Sequence, residues 1–243
     1  MNQNKAVYII DVGNTLLKIA KFVDHKIVDL FKVDFDEIDS FPELLVMKSS
    51  PCFASSVLDD FDNETLKRKL PNLRLFDNTF KTGIVNKYKS PDTLGYDRLC
   101  NVIGASDLSN NLNCLTIDIG TCIKFDFITA KKEYLGGSIG PGINLRFKAM
   151  NDYTKNLPYI KHREKTELIG RDTKESLMSG VMNGMQAEIN QFIERYKTQF
   201  SELQIFMTGG DAKYFDIPLK KDTFVVENLT LLGLYKIYEL NEI

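Results

Sequence analysis

The chain has 243 residues, 43% of them hydrophobic, and a formal net charge of -2 at pH 7. This length can bury one large core or two modest ones, and the weak net charge without a clustered basic face argues against nucleic acid as a partner. The longest apolar runs are strand-sized, short of the roughly 20 residues that cross a bilayer, and the N-terminal residues show no targeting signal, so we expect a cytoplasmic protein without a membrane partner.

The first half begins with strand signals and then alternates between strands and helices. The runs AVYII, LLKIAKF and KIVDLFKV, separated by polar turns, predict a β-meander. CFASSV and LRLFD predict strands on either side of an amphipathic helix at DDFDNETLKRKL. DRLCNVIGASDL then predicts another helix.

The second half repeats this organisation. CLTIDIG, IKFDFIT and KEYLGGSI predict a second meander, and PGINLRFKAMNDYT predicts a helix that begins at Pro141. A long helix is expected from about Thr173 to Phe200. LQIFMTGGDAKYF predicts a strand, a glycine turn and a short helix, and the chain closes with a strand at TFVVE and a helix at LTLLGLYKIYEL. This internal repeat predicts two related domains, 1–112 and 113–243.

Each predicted meander has a first strand that ends in Asp-x-Gly with a Thr close behind, as IDVGNT in the first half and IDIGT in the second. Glycine lets the backbone approach a ligand closely, and Asn14 and Thr15 offer hydrogen-bond donors to phosphate oxygens. Because the carboxylate of Asp11 would repel phosphate unless a cation intervened, the combination implies a magnesium nucleotide. Lys18, on the return strand, could reach the same phosphates.

Either turn alone could simply close a tight hairpin. The two copies stand about half a chain apart, and the sequence contains no third Asp-x-Gly. This spacing favours two lobes that close on one nucleotide from opposite sides.

The other reactive side chains suggest no metal site and no histidine base. The four cysteines form no Cys-x-x-Cys pattern, so we expect reduced and mostly buried thiols rather than zinc ligands or disulfides. His25 and His162 are the only histidines, and both are expected at the surface. A general base is therefore expected to be a carboxylate.

Several motifs, in order along nearly the whole chain, resemble the type III pantothenate kinases of the actin, hexokinase and Hsp70 superfamily. The matching stretches are DVGNTLLK, YKSPDTLGYDR, IDIGT, GGSIGPG, GRDT, TGGDA and ENLTLLGL. LGYDR together with GGSIGPG is the most specific combination. The resemblance implies an α/β fold of duplicated actin-like (ribonuclease H-like) domains, each a mixed β-sheet with flanking helices, with a nucleotide cleft between them.

The resemblance also implies an activity: phosphorylation of pantothenate by ATP and Mg²⁺ to 4'-phosphopantothenate, the first step towards coenzyme A. Asp97 would be catalytic and accept the proton of the attacking hydroxyl, and Asp118 would bind a monovalent cation, K⁺ or NH₄⁺. The residues implied in ATP binding are Asp11, Val12, Gly13, Asn14, Thr15, Leu16, Leu17, Lys18 and Thr121. Those implied in pantothenate binding are Tyr88, Gly95, Tyr96, Asp97, Arg98 and Thr173.

Some of these residues have simpler structural interpretations. Asp97 could offset the dipole at the start of its helix, with Arg98 in a surface ion pair; alternatively, Arg98 could pair with the carboxylate of pantothenate. Thr173 could be the N-cap of the long helix. The glycines of GGSIGPG could let backbone amides approach an anion or could form a strand-to-helix turn.

One residue departs from the expected pattern. Lys124 lies on a strand where a small hydroxyl residue is expected, which leaves open whether it alters the cation requirement. The resemblance also implies a homodimer. Two other functions stay open, namely a non-catalytic transcriptional accessory factor and a kinase for a sugar or another small hydroxylated substrate.

Overall fold

The protein is described by a computed structural model that covers residues 6–13, 16–56, 60–161, 164, 166–216 and 221–241. The chain divides into two compact units, each containing one β-sheet. The first unit draws on the ranges 1–84, 89–107 and 228–243, and the second on 85–88 and 108–227.

The sheet of the first unit combines a meander with parallel strands. Its members are β1 (Val7–Val12), β2 (Leu16–Val23), β3 (Lys26–Asp34), β4 (Cys52–Ser56) and β5 (Leu73–Leu75), in the spatial order β3-β2-β1-β4-β5. β1, β2 and β3 are antiparallel, whereas β4 is parallel to β1 and β5 to β4. The parallel strands follow helical crossovers, as parallel pairing requires, through α1 (Leu44–Lys48) and α2 (Asp60–Lys69).

The sheet of the second unit repeats this pattern strand for strand. Its members are β6 (Val85–Asn86), β7 (Asn113–Ile119), β8 (Cys122–Ile128), β9 (Glu133–Pro141), β10 (Leu203–Thr208) and β11 (Thr223–Val225), in the spatial order β11-β10-β7-β8-β9-β6. β7, β8 and β9 form the antiparallel meander, and β10 and β11 continue in parallel from β7. The predicted α/β duplication is confirmed, with β6 as an additional edge strand.

Long helices flank both sheets. The first unit contains α3 (Tyr96–Leu108) and α6 (Leu229–Leu240), and the second contains α4 (Ile143–Asp152) and α5 (Thr173–Gln199). Short 3-10 helices span Phe35–Ser40, Pro91–Thr93 and Ala212–Tyr214. In the described part of the chain, no helix is both long enough and apolar enough to span a bilayer.

Each sheet packs its apolar side chains against helices. In the first unit, Ile10 and Ile19 share a core with Met47 of α1 and Leu66 of α2. In the second unit, the apolar faces of α4 and α5 cover β7, β8 and β10, and their fully buried members include Phe147, Met185 and Ile189. Burial of these side chains, at roughly 1.5–3 kcal/mol for each large one, holds each sheet against its helices.

The helices α3 and α6 of the first unit pack backbone against backbone. A Cβ atom on Gly233 would lie 1.8 Å from the carbonyl oxygen of Cys100, and one on Gly104 would lie 2.7 Å from that of Leu229. Only glycine permits this approach. The contact fixes the position of α3, which carries Asp97 in its first turn.

The fourth helix begins at Ile143, so the predicted start at Pro141 is wrong. Pro141 is the last residue of β9, and Gly142, in extended conformation, precedes the helix as its N-cap. Proline is tolerated at this strand end because the distal part of β9 pairs with β8 on one side, while on the other side, among the described residues, β6 pairs only with Glu133 and Tyr134.

The two compact units can be compared with the predicted domain ranges. The change of unit after residue 107 lies close to the boundary expected after residue 112, whereas α6 groups with the first unit although it lies at the end of the chain. The ranges 1–112 and 113–243 stay a prediction about domains.

Candidate active site

The first Asp-x-Gly turn joins β1 to β2. The N–H of Gly13 donates to the carbonyl oxygen of Leu16 at 3.0 Å and closes the turn. Asn14 and Thr15, the predicted phosphate donors, lie outside the described residues. Val12 and Leu17 face each other across the two strands and are buried in the core, so their side chains serve packing.

The Asp11 carboxylate is partly exposed beside this turn. Lys18 lies directly opposite on β2, with its Nζ 3.7 Å from Asp11 Oδ2, and 44% of the Lys18 side chain is exposed against 21% for Asp11. Ser55, in register with Asp11 on β4, donates its hydroxyl to Asp11 Oδ1 at 3.5 Å. The structure thus brings Asp11 and Lys18 together on neighbouring strands, and the contact of both with a nucleotide stays a prediction.

Asp97 lies in the first turn of α3. Its Oδ1 accepts the backbone N–H of Arg98 at 2.8 Å, which orients the carboxylate towards the start of the helix. A Cβ on Gly95 would lie 2.6 Å from the same oxygen. Gly95 therefore leaves the space that the Asp97 carboxylate fills.

Arg98 is only 4% exposed, which rules out the surface ion pair considered as its simpler interpretation. A buried guanidinium is costly unless it is paired, so this residue serves the interior of the unit or a ligand that reaches it. Tyr96 packs its ring against Phe76, with the ring centroids 4.8 Å apart, and burial raises its pKa.

The buried thiol of Cys100 lies within electrostatic range of both Asp11 and Asp97. Burial raises the pKa of this thiol well above its ordinary value, and the negative charges of the two carboxylates raise it further. Cys100 lies one helical turn after Asp97 on α3. The proposed metal-side carboxylate and the proposed base thus belong to the same unit.

The second Asp-x-Gly turn joins β7 to β8. The N–H of Gly120 donates to the carbonyl oxygen of Cys122, and the N–H of Gly142 donates to that of Thr121, each at 3.0 Å. A Cβ on Gly142 would lie 2.1 Å from the carbonyl oxygen of Gly120. Thr121 itself is exposed at the tip of the turn.

The carboxylate of this second turn is already paired with a cation. Lys124 lies directly opposite Asp118, with its Nζ 2.8 Å from Asp118 Oδ2, and the two side chains are 18% and 16% exposed. A monovalent cation at Asp118, which the family resemblance implied, would have to share this carboxylate with the Lys124 ammonium, which already contacts Oδ2; the cation site stays a prediction.

The glycines Gly136 and Gly137 of GGSIGPG are closely packed against other protein atoms. Gly136, with a positive φ of 108°, leaves room for the ring of Tyr88, which stacks near Tyr134 with the centroids 6.0 Å apart. A Cβ on Gly137 would collide with the backbone of β8 at Phe125. Gly136 and Gly137 thus lie within β9, where Gly136 makes room for Tyr88, and Gly142 alone belongs to the strand-to-helix turn.

Thr173 is the first residue of α5, but its predicted alternative role as the N-cap is wrong. The N-cap is Asp172, whose side chain accepts the N–H of Glu175 at 2.8 Å. Thr173 instead lines a surface cavity of about 500 Å³ together with Arg171 and Ser176. A cavity of this volume is within the usual range for small-molecule sites.

The carboxylate of Asp11 fits a magnesium ion that is bound together with a nucleotide. Among the described residues, no three His, Cys, Asp or Glu side chains form a cluster that could bind a metal. Mg²⁺ is commonly bound through one or two carboxylates plus substrate phosphates, and Asp11 supplies one partly exposed carboxylate.

Ser55 was missed by the sequence analysis, and Gly209 was noticed only as part of the TGGDA motif. Ser55 was seen only as part of a buried strand, although its parallel register with Asp11 follows once β4 pairs with β1. Gly209, from the TGGDA motif, has a φ of 94° and packs its backbone against Asp118 and Ile119. The paired glycines of that motif were the available signal.

The chain is similar to known proteins over nearly its whole length. A model of the family described as type III pantothenate kinase matches residues 7–195. The type III pantothenate kinase of Christiangramia forsetii is 37% identical over 242 residues, covering 96% of this chain and 98% of that protein. That of Cytophaga hutchinsonii is 36% identical over 233 residues with the same coverage.

Solved structures share the fold at lower identity. A Campylobacter jejuni protein proposed as a Baf family transcriptional activator aligns with a TM-score of 0.66 and 21% identity, covering 97% of this chain and 98% of its own. A Listeria monocytogenes protein proposed as an N-acetylmannosamine kinase aligns with a TM-score of 0.50 and 15% identity, covering 96% and 99%. At such identities the likeness shows the fold alone.

Proposed function

The chain belongs to the type III pantothenate kinase family, and we propose that it transfers the γ-phosphate of ATP to the primary hydroxyl of pantothenate, giving 4'-phosphopantothenate. The observation that carries this proposal is the family match, which spans residues 7–195 and includes the stretch YKSPDTLGYDR around Asp97. A kinase of this kind needs one carboxylate for the metal nucleotide and another for the attacking hydroxyl, and Asp11 and Asp97 both belong to the first unit.

Asp97 is the proposed general base. It would accept the proton as the pantothenate hydroxyl oxygen bonds to the γ-phosphorus, while the bond from that phosphorus to the β–γ bridging oxygen breaks and its electron pair leaves with ADP. Its hydrogen bond from the Arg98 N–H and the space left by Gly95 hold the carboxylate in one orientation. Such positioning accounts for much of the acceleration in phosphoryl transfer.

Asp11, Lys18 and Thr121 are the proposed nucleotide residues among those described. Lys18 is more exposed than Asp11 and makes only a long ion pair with it, so its ammonium can turn towards phosphate oxygens. When bound, Mg²⁺ would neutralise charge on the β- and γ-phosphates. Asp11 would hold this ion, and Ser55 keeps the Asp11 carboxylate in place through its hydroxyl.

The proposed pantothenate residues are divided between the two units. Gly95, Tyr96 and Arg98 belong to the first, and Tyr88 and Thr173 to the second. The charge of Arg98 suits the carboxylate of pantothenate. Because Thr173 is not the helix cap, its hydroxyl is available for another role. The homodimer implied by the family remains part of this proposal.

The proposed reaction is tested with the purified full chain. Incubation with Mg²⁺ and ATP, together with pantothenate or each member of a panel of sugars and hydroxy acids, should give a phosphorylated product with pantothenate only. Preferred phosphorylation of a sugar would show that the sugar, and not pantothenate, is the substrate. Binding without phosphorylation of any member would favour the transcriptional accessory role over catalysis.

A further inference from the structure

The pairing of Asp118 with Lys124 suggests how this chain supplies positive charge at its second Asp-x-Gly turn. We propose that the Lys124 ammonium is a built-in substitute for the monovalent cation, so that the turn is held in its working geometry without K⁺ or NH₄⁺. The part of this inference that concerns activity rests on the proposed kinase function. The part that concerns the turn itself does not.

The register of the sheet makes the pair a fixed feature of the fold. Asp118 on β7 and Lys124 on β8 are direct cross-strand partners, and the 2.8 Å distance between Nζ and Oδ2 is that of a charge-assisted hydrogen bond. Opposite charges at such positions stabilise strand pairing. The ammonium is therefore placed by the same pairing that forms the turn.

The duplicated sheet provides an internal comparison. Asp11 and Lys18 hold the equivalent positions in the first unit, but their charged atoms are 3.7 Å apart and Lys18 is 44% exposed. Lys124 is only 18% exposed and in direct contact with its carboxylate. This difference favours a role for Lys18 towards a ligand and a role for Lys124 towards Asp118.

The other side of the Asp118 carboxylate is closely covered by backbone. A Cβ on Gly209 would lie 2.6 Å from Asp118 Oδ1 and 2.3 Å from the carbonyl oxygen of Ile119. The Ile119 carbonyl also accepts the N–H of Asp211 at 2.9 Å. One carboxylate oxygen is thus paired with Lys124 and the other lies against the turn that follows β10.

Charge repulsion opposes a second cation at the same place. Two unit positive charges about 4 Å apart repel each other enough to weaken binding by roughly fivefold in water and by roughly a thousandfold in a partly desolvated site. A lysine ammonium is a compact point charge with three N–H donors, which makes it the tethered equivalent of NH₄⁺. Lys124 therefore acts as a positioning residue through Asp118.

The first test uses the unaltered chain. Kinase activity is measured in choline chloride and in KCl or NH₄Cl at matched ionic strength, and the rates should agree within about twofold if no free cation is required. Thermal unfolding in the same salts should show no stabilisation specific to K⁺. Activation beyond about tenfold by K⁺ over choline would overturn the proposal.

The second test removes the ammonium. Lys124→Met should lose about tenfold or more of the activity in choline chloride, and K⁺ or NH₄⁺ should restore it and raise the unfolding temperature of the variant, because each supplies the missing charge. Lys124→Ser should behave in the same way with a smaller side chain. Full activity of both variants in choline, or a loss that K⁺ and NH₄⁺ leave unchanged, would overturn the proposal.

A matched control separates this effect from the loss of any buried lysine. Lys197 pairs with Asp222 at 2.7 Å in the same unit, and Lys197→Met should show no K⁺-specific response in activity or unfolding. If the chain phosphorylates no substrate, the proposed function fails. The K⁺-specific stabilisation of Lys124→Met, absent from the unaltered chain, still decides the present inference.

Discussion

The Asp97 carboxylate fills the space that a side chain on Gly95 would need: a Cβ on Gly95 would lie 2.6 Å from Asp97 Oδ1. The same oxygen accepts the N–H of Arg98. The orientation of the proposed base therefore depends on the first turn of α3 and on the absence of a side chain two residues earlier. This relationship explains why glycine precedes Tyr-Asp-Arg in the matching motif.

Gly95→Ala should reduce kcat by about tenfold to a hundredfold, because displacement of a catalytic group by an ångström has effects of that size. The atom that the new methyl group meets is the end of a flexible side chain, so the free energy of unfolding should change by less than about 0.5 kcal/mol. Steady-state kinetics and urea unfolding measure the two effects separately.

The control for this substitution is Gly184→Ala in α5, where nothing lies within 4 Å of the added Cβ. It should leave kcat unchanged and stabilise the helix by about 0.5–1 kcal/mol. Wild-type kcat in Gly95→Ala would show that the carboxylate does not need this space.

Gly233→Ala tests the contact between α6 and α3. Its Cβ would lie 1.8 Å from the Cys100 carbonyl oxygen, and helix backbone cannot yield as a side chain does, so we expect a loss of about 3 kcal/mol in unfolding free energy. This corresponds to a fall of roughly 6–12 °C in Tm. A change in unfolding free energy no larger than that expected for Gly184→Ala would contradict the close packing.

Glu43 provides a prediction of pH dependence in the first unit. Its carboxylate accepts hydrogen bonds from Lys21 Nζ at 2.7 Å and from the buried Tyr8 hydroxyl at 2.5 Å, and these bonds, first that from Lys21, lower its pKa. Glu43→Gln should therefore reduce unfolding free energy by about 1 kcal/mol at neutral pH.

The sign of this effect follows from the lowered pKa. The contribution of Glu43 is present above its unfolded pKa of about 4.3 and is lost as the pH falls through the lower folded value. Urea midpoints of the two proteins should differ at neutral pH and converge in acid. A difference that stays constant down to acid pH would mean that the Glu43 charge does not stabilise the fold.

Much of the architecture could be predicted because it depends on local patterns. The short apolar runs located the strands of both meanders, and the two Asp-x-Gly turns revealed the repeat. The long helix was expected from about Thr173 to Phe200 and spans Thr173–Gln199. Proline at position 141 was misjudged, because a sequence alone does not show that β9 continues to Pro141, opposite Cys122 of β8, after its pairing with β6 has ended.

Less of the site could be predicted from the sequence, because its details depend on contacts between residues that are distant in the chain. The burial of Arg98 follows from how α3 packs in its unit, and its charge alone suggested a surface position. Lys124 stood out as unusual, but its direct contact with Asp118 required the register of β7 and β8. Asp172 was overlooked as the cap because Thr at the next position is also a common cap.

The most direct test of the account compares the unaltered chain with Asp97→Asn under saturating Mg²⁺, ATP and pantothenate. Mass spectrometry should detect 4'-phosphopantothenate from the unaltered chain, and the variant should lose about 10²–10⁴-fold in kcat through removal of the base, with unchanged Tm and unchanged binding of a fluorescent ATP analogue. Near-normal turnover by the variant, or no 4'-phosphopantothenate from the unaltered chain, would contradict the account.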